Sequence, residues 1–402
     1  MIDFRDAQRR VIEACAPLER ETIALPEAAG RVLADDIVAG EDLVPFARSA
    51  MDGFALRAAE TSGNGVFPVR AAAYAQAAEP SQHVAGTATA IATGAPLPRG
   101  ANAVVAVENV ARENGSIRLS RALRCGEHVF PPGEDARRGE RLVAAGTSLE
   151  PCHLGLLASA GCAELCVRRR PRVAVVCGGD ELVPIDRIPS HGQIRNSNAT
   201  TVRAFVERAG GTVASETTVP DDPEALMAAL RRAFESADIV VTTGGASVGE
   251  RDFMKPALRQ FGAAFAFESV ALRPARPAAF ATLGTTRIIV LPGNPAAVFV
   301  ALLEFVGPAL AALQGAATLH PPKGRARLDG YLHAKPNRTY LPFVHVRWHD
   351  GYVATPLDNQ CSALTRTAAE AHGLAVIEAG ERDYIAGDEV DVHLYRTPAW
   401  DR

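Results

Sequence analysis

The chain has 402 residues, of which 48% are hydrophobic and 22% charged, with a formal net charge of −4 at pH 7. That length supplies about two to four domains with ample buried cores. The slightly acidic balance excludes bulk attraction to nucleic acid or to an anionic membrane surface. Seven cysteines (Cys15, Cys125, Cys152, Cys162, Cys166, Cys177 and Cys361) form no C-x-x-C pair, and their odd number suits reduced thiols. Cys162 and Cys166 have no second pair or histidine cluster, so core-filling thiols are expected rather than a zinc site. Asp3 and Asp6 give an N-terminus unlike a signal peptide, and no uninterrupted apolar run approaches the roughly 20 residues of a membrane span. A cytoplasmic protein is expected, with neither nucleic acid nor membrane as partner.

Residues 2–16 read as a helix, with Ile2, Val11, Ile12 and Cys15 available to one face, before Pro17 and Pro26 break the pattern. In Pro45–Ala55 (PFARSAMDGFA), Asp52-Gly53 reads as a tight turn, and on sequence physics alone a solvated aspartate is the simpler account. From about 66 to 120 the pattern is β-rich. Val104–Val107 and Ile117–Leu119 are short strands, and Asn114-Gly115 between them is a strong hairpin signal. Thr93-Gly94 in IATGAPLP stands before two prolines, where Thr93 either donates to a ligand or caps a turn. Pro131–Asp135 (PPGED) is another glycine turn bearing a carboxylate. A helix follows through Leu154–Ala160.

Arg172–Leu182 (RVAVVCGGDEL) opens an α/β unit. Its Val173–Val176 is a continuous apolar strand of the parallel type, with Asp180 and Glu181 just beyond its carboxyl end. Helices are expected at about Ala199–Ala209 and after Asp222-Pro223, where an N-cap precedes proline in the first turn. Ile239–Val241 then runs into Gly244, Gly245 and Gly249, with Ser247 among them, and a helix opens near Asp252. A strand that ends in such a loop and enters a helix aims backbone N–H groups at one spot and suits an anion. In isolation the loop is equally a strand-to-helix turn, since it matches neither common nucleotide fingerprint. Ile288–Leu291 is a further strand, ending in Pro292-Gly293-Asn294-Pro295 and a helix to about Gln314. Alternating strands and helices predict a parallel sheet with ligands outside its carboxyl ends, where Glu181, Gly244, Asp252 and Asn294 fall. Arg273-Pro-Ala-Arg276-Pro holds two guanidiniums on a stiff segment, either solvated or suited to planar anions. Past Pro321 the period changes to two, predicting a small β domain with a turn at Asp350-Gly351; His345 carries little weight.

Taken together, PFARSAMDGFA, IATGAPLP, PPGED, CGGDEL, GQIRNSN, TTGGASVGERD and LPGNP, in order along the chain, resemble the MoeA family. These are the molybdopterin molybdenumtransferases, which include the gephyrin E domain. The resemblance implies a multidomain α/β fold. A mixed linking and dimerisation unit is expected at 1–44 and 145–170, a β-rich domain at 45–144, a MogA-like α/β domain at 171–320 and a β-barrel-like domain at 321–402. It implies insertion of molybdate into molybdopterin adenylate, with hydrolysis of the adenylate to give molybdenum cofactor and AMP. Mg²⁺ is the implied cation, held by Asp135, Glu181 and Asp252. Asp52, Glu181, Asp221 and Asp252 are the implied catalytic acids. Thr93, Gly244, Gly245, Ser247, Gly249, Arg273, Arg276, Asn294 and Ser362 are the implied substrate-binding residues. A homodimer is implied, with Asp52 and Asp135 serving in trans, together with contact with the family's partner adenylyltransferase. The chain departs from the family at basic positions: Arg273-Pro-Ala-Arg276-Pro replaces K-P-G-K-P, Ser269 an upstream lysine, His345 the arginine of F-x-R, and Cys361 the glycine of Q-G-S. Those departures motivate two alternatives, a diverged molybdopterin-binding carrier or scaffold and, more weakly, a nucleotidyltransferase. Five retained acids argue against a pure binder, because clustered carboxylates repel one another.

Overall fold

The computed structural model describes residues 1–62, 65–73, 80–244 and 253–400. Helix α1 (Phe4–Glu13) is capped by Asp3, whose carboxylate accepts from the Arg5 and Asp6 N–H groups. Its Phe4, Ala7 and Val11 are buried in the same core as the α/β unit. The chain then runs out through Arg20–Ala24, which pairs antiparallel with Glu164–Arg168, and Ile37–Val38, which pairs with Arg141–Val143. Leu33, Leu149, Leu157 and Val167 form the core of this unit.

Between these segments lies a six-stranded β unit: β1 (Gly53–Leu56), β2 (Val66–Ala73), β3 (Ala88–Ile91), β4 (Ala103–Ala106), β5 (Val110–Glu113) and β6 (Ser116–Leu119), in the order β4-β1-β3-β2-β6-β5. Two details differ from the sequence expectation. The Asn114-Gly115 turn exists, with φ of 44° and 79°, but it joins β5 to β6 rather than β4 to β6. Gly53 opens strand β1 instead of turning. A Cβ there would lie 1.9 Å from the Val105 carbonyl oxygen, so the glycine is required by the approach of β1 to β4. Helix α2 (Pro151–Ser159) leads back to the first unit.

The α/β unit contains β7 (Arg172–Gly178), α3 (Ser197–Arg208), β8 (Thr212–Val219), α4 (Pro223–Ser236), β9 (Ile239–Thr243), α5 (Met254–Gln260), β10 (Ala264–Phe267), β11 (Ala279–Leu283) and β12 (Thr286–Leu291). The sheet order is β8-β7-β9-β12-β11-β10; the first four strands are parallel, whereas β11 and β10 are antiparallel additions. Val173, Val175 and Cys177 of β7 face the α3 side, while Ala174 and Val176 face α4, so the two helices cover opposite faces. The order in which parallel strands are added therefore switches sides between β7 and β9, which opens a crevice at their carboxyl ends. Asp222 caps α4 by accepting from Ala225 N–H at 2.7 Å, as its Asp-Pro start predicts. Leu230 on the apolar stripe is fully buried, a gain of about 2 kcal/mol.

After β12 the chain forms α6 (Pro295–Ala301), a π-helical segment at Leu302–Val306 and α7 (Gly307–Leu313). This continuous apolar stretch is long enough by composition to cross a membrane, yet most of it is buried inside the protein, as a core helix is. Glu304 in the π segment is fully buried. Its Oε2 accepts from Gln8 Nε2 at 2.8 Å, and its Oε1 lies 2.7 Å from His393 Nδ1. The C-terminal unit contains β13 (Lys323–Leu328), β14 (Phe343–Trp348), β15 (Tyr352–Pro356), α8 (Thr365–Glu370), β16 (Gly373–Val376) and β17 (Glu389–Leu394). Its strands close a ring, β15-β13-β17-β16-β14 and back to β15. The Asp350-Gly351 turn joins β14 to β15 as expected, and α8 is an addition the alternating pattern did not announce.

Candidate functional site

Glycines build the carboxyl edge of the parallel strands. Gly179 N–H donates to Val219 O at 3.1 Å, tying the end of β7 to that of β8. The next residue, Asp180, accepts from Asp221 N–H through Oδ1 at 2.9 Å. Glu181 and Asp221, two of the expected acids, thus stand on neighbouring loops, Glu181 exposed and Asp221 half-buried. Gly179 takes φ +148°, which favours glycine, and a Cβ there would meet only the movable carboxylate end of exposed Glu181. Gly244 closes β9 at φ +81°, and a Cβ there would lie 2.2 Å from Gly178 O. Gly293 is packed against Gly244, and its carbonyl accepts from Asn198 Nδ2 at 2.8 Å. The expected residues Gly245, Ser247, Gly249 and Asp252 lie outside the described residues.

A cleft of about 430 Å³ lies where this unit meets the barrel. Leu272–Arg273 pairs in parallel with Thr339–Tyr340, and Leu341 N–H donates to Arg273 O at 2.8 Å, so backbone hydrogen bonds join the two units along one wall. Arg273 lies with its guanidinium 5.3 Å from the Tyr340 ring centroid. Burial pushes the Tyr340 phenol above its ordinary pKa, and Arg273 pulls it the other way. Opposite, Asn294 Nδ2 donates to Ser362 Oγ at 3.2 Å, and Ala296 N–H donates to Ser362 O at 2.9 Å. Four of the expected binding residues, Arg273, Arg276, Asn294 and Ser362, line this one cleft.

Arg338 completes the lining and was not anticipated from the sequence. It follows Asn337, at φ +63°, on the turn into the strand that pairs with Arg273. Three guanidiniums therefore line a cavity that, among the described residues, no carboxylate lines. Gln360 was noted only as part of a departing motif. Its amide accepts from Phe343 N–H and donates to Phe343 O and Leu357 O, all at 2.9 Å, and so fixes the loop that carries Cys361 and Ser362. Neither Ser269 nor His345 lines the cleft; Ser269 O accepts from Ile2 N–H, and His345 packs on His372 at 5.5 Å. Burial holds His372 below its ordinary pKa, helped by Arg396 and His345.

The β-rich unit brings together Asp52 and Thr93. Asp52 Oδ1 accepts from Thr93 N–H at 2.7 Å and from Thr93 Oγ at 2.8 Å. Those two bonds, the backbone one foremost, hold the carboxyl below its usual pKa. Asp135 is exposed on a loop fixed by Gly133 N–H to Val44 O and Arg138 N–H to Asp42 Oδ1. Val129–Phe130 pairs antiparallel with Arg48–Ser49, so the chain leaves that pairing toward Asp52 and toward Asp135 in opposite directions. Among the described residues no three acid, histidine or cysteine side chains gather as metal ligands. Exposed carboxylates without a dedicated cage are nevertheless the donor set that suits Mg²⁺, which keeps several waters and is commonly held through a substrate's phosphates.

Family models match nearly the whole length: the MoeA N-terminal region (domain I and II) over residues 2–161, a probable molybdopterin binding domain over 174–312, and the MoeA C-terminal region (domain IV) over 325–395. The molybdopterin molybdenumtransferase of Bacillus subtilis (strain 168) is 34% identical, covering 98% of this chain and 94% of its own. That of Staphylococcus aureus (strain COL) is 30% identical, covering 99% and 96%. Among solved structures, the molybdopterin biosynthesis moeA protein of Pyrococcus horikoshii OT3 superposes with a TM-score of 0.84 at 27% identity, over 98% of this chain and 100% of that one.

Proposed function

The chain belongs to the MoeA family of molybdopterin molybdenumtransferases, and from that premise we propose that it inserts molybdate into adenylylated molybdopterin. The adenylate is hydrolysed in a divalent-cation-dependent step, giving molybdenum cofactor and AMP in the cytosol. The observation that carries this reading is the cleft lined by three guanidiniums and, among the described residues, by no carboxylate, beside an edge bearing Glu181 and Asp221.

In this reading Arg273, Arg276 and Arg338 hold the oxyanion and phosphate groups, whose charge and planar faces suit guanidinium forks. Asn294 and Ser362 orient them from the opposite wall. Asp52, kept ionised by Thr93, orients the water that attacks the phosphoryl group. Glu181 and Asp221 fix the other side of that water. Asp135, Glu181 and Asp252 are the residues we assign to Mg²⁺. When bound, the ion offsets phosphate charge and polarises the phosphoryl oxygen.

Two exposed apolar rims support a shared site in a homodimer. Phe46 (42% exposed), Met51 (38%) and Phe130 (38%) surround the Asp52 loop, while Ile185 (64%), Ile188 (90%) and Ile194 (56%) flank Glu181. Apposing the first rim of one protomer to the second rim of its partner buries both and brings Asp52 to the sheet edge in trans. The test is release of AMP from molybdopterin adenylate on addition of molybdate and Mg²⁺. Binding of molybdopterin adenylate without AMP release would replace this reading by the carrier.

A further inference from the structure

Strands β13 and β17 carry a pattern of matched charge that breaks at one end. Their register sets Arg325 opposite Asp391 and Arg327 opposite Glu389, so opposite signs face each other across the ladder. At the start of β13 the same register sets Lys323 opposite His393, two bases. Like charges so placed destabilise a sheet unless an anion stands beside them. Arg325 also reaches Glu389 at 3.4 Å, whereas Lys323 has no described partner.

This basic pair lies at a cavity of about 500 Å³ between α1, the approach to β13 and the barrel. His393 is its buried member, 5% exposed. Nδ1 of that ring is turned to the Glu304 carboxylate at 2.7 Å, and Nε2 has no described partner. When protonated, the ring donates from both nitrogens, one toward Glu304 and the other toward the cavity. His320 joins Lys323 at the rim. Partial desolvation, then Lys323, holds His320 below its ordinary pKa; Glu304 pulls it up and His393 pushes it down. The charges that α1 adds are already matched: Arg5 pairs with Glu378, and Arg9 with Asp6 and, at 2.9 Å, with Glu13. Phe4, Ile12, Leu319 and Val376 supply apolar wall.

We propose that this cavity is a second anion site, which takes a phosphate monoester bearing a small apolar group. Lys323, His320 and His393 Nε2 donate to the phosphate oxygens, and the organic group lies along the Phe4–Ile12 face of α1. Three cationic donors suit the three terminal oxygens of a phosphate ester better than the two of a carboxylate. A bare oxyanion would leave most of the cavity and its apolar wall unused, so the ligand carries a carbon skeleton. The site shares no lining residue with the arginine-rich cleft and is independent of the reaction proposed above. Its ligand would bridge the first helix and the last long strand.

The test titrates phenyl phosphate into the full-length protein, followed by calorimetry and by the side-chain nitrogen NMR resonances of His393. Those resonances should shift, and Lys323→Ala and His320→Gln should each weaken the binding that shifts them by about tenfold. Lys323 and His320 are both exposed, so the core is untouched by either substitution. Arg276→Ala, in the other cleft, should leave that binding within about twofold. Inorganic phosphate should bind about tenfold more weakly than phenyl phosphate, for want of the apolar contact. His393 resonances that stay fixed would overturn the site. So would a loss in Arg276→Ala equal to that in Lys323→Ala, which would move the anion to the arginine cleft. Benzoate binding as tightly as phenyl phosphate would overturn the choice of phosphate, and inorganic phosphate binding as tightly would overturn the apolar group.

Discussion

One oxygen of Asp52 takes both hydrogen bonds that Thr93 offers, from the backbone at 2.7 Å and from the hydroxyl at 2.8 Å. The second carboxylate oxygen is left for chemistry. Because the folded-state pKa lies below the ordinary 3.8, the pair stabilises the fold at pH above that value, and the contribution is lost as pH falls through the lowered pKa. Thr93→Val removes the hydroxyl but keeps the N–H, the larger cause of the shift. Carboxyl-carbon NMR titration should show the Asp52 midpoint rising only part of the way back; a full return, or none, would contradict the assignment. Asp52→Asn should lower turnover by about a hundredfold or more.

A site shared between protomers predicts complementation. Asp52→Ala and Glu181→Ala homodimers should each be inactive, and co-refolded mixtures should recover up to about a quarter of wild-type activity, through the one intact site that half of the dimers contain. No recovery, with heterodimers confirmed by native mass spectrometry, would place all the acids of a working site in one chain.

Arg338→Ala removes one of the three guanidiniums that line the cleft. The expected outcome is a KM for molybdate raised by about ten- to a hundredfold with kcat nearly unchanged. Arg338→Lys should recover only part of the loss, since an ammonium lacks the planar fork. Steady-state kinetics at fixed ionic strength decides it.

Gly244 has no room for a methyl group, because Gly178 O occupies the position at 2.2 Å and φ is +81°. Gly244→Ala should displace the carboxyl end of β9, cost about 2–4 kcal/mol in urea unfolding and abolish AMP release. Retained activity would show that the close approach of Gly244 to Gly178 does not matter to the reaction.

Glu304→Ala removes the side-chain partner of His393 and one of two acceptors of Gln8 Nε2, which keeps its bond to the backbone carbonyl of residue 304 at 3.1 Å. Calorimetry or denaturant unfolding should show destabilisation of about 3–5 kcal/mol. A change below 1 kcal/mol would mean that solvent reaches the cluster.

The parts of the fold carried by local chemistry were legible in the chain. Asp222-Pro223 announced α4, Asn114-Gly115 its turn, and the apolar run at Val173–Val176 a buried parallel strand. The antiparallel strands β10 and β11 were not, because Ala264–Phe267 and Ala279–Leu283 are short and their alanines dilute the β preference of Phe265, Phe267, Phe280 and Thr282. Arg338 escaped notice for a different reason. Its place in the cleft follows from the pairing of Thr339–Tyr340 with Leu272–Arg273, a contact across more than sixty residues that no local pattern encodes. Arg273, Arg276, Asn294 and Ser362 could be named beforehand through the family likeness, but their shared cavity is a product of the interface between two units.

The buried carboxylate of Glu304 also bears on how the polypeptide is made. Its histidine partner stands 89 residues further on, in the last long strand of the barrel. While the ribosome is still translating that remainder, a nascent chain ending soon after Leu313 already carries a greasy helix whose carboxyl group lacks its histidine partner. Such an intermediate holds sticky surface until the final strand arrives, which makes this stretch the natural client of chaperones. Premature stops that remove only the last ten residues would therefore be punished as misfolding rather than as lost chemistry.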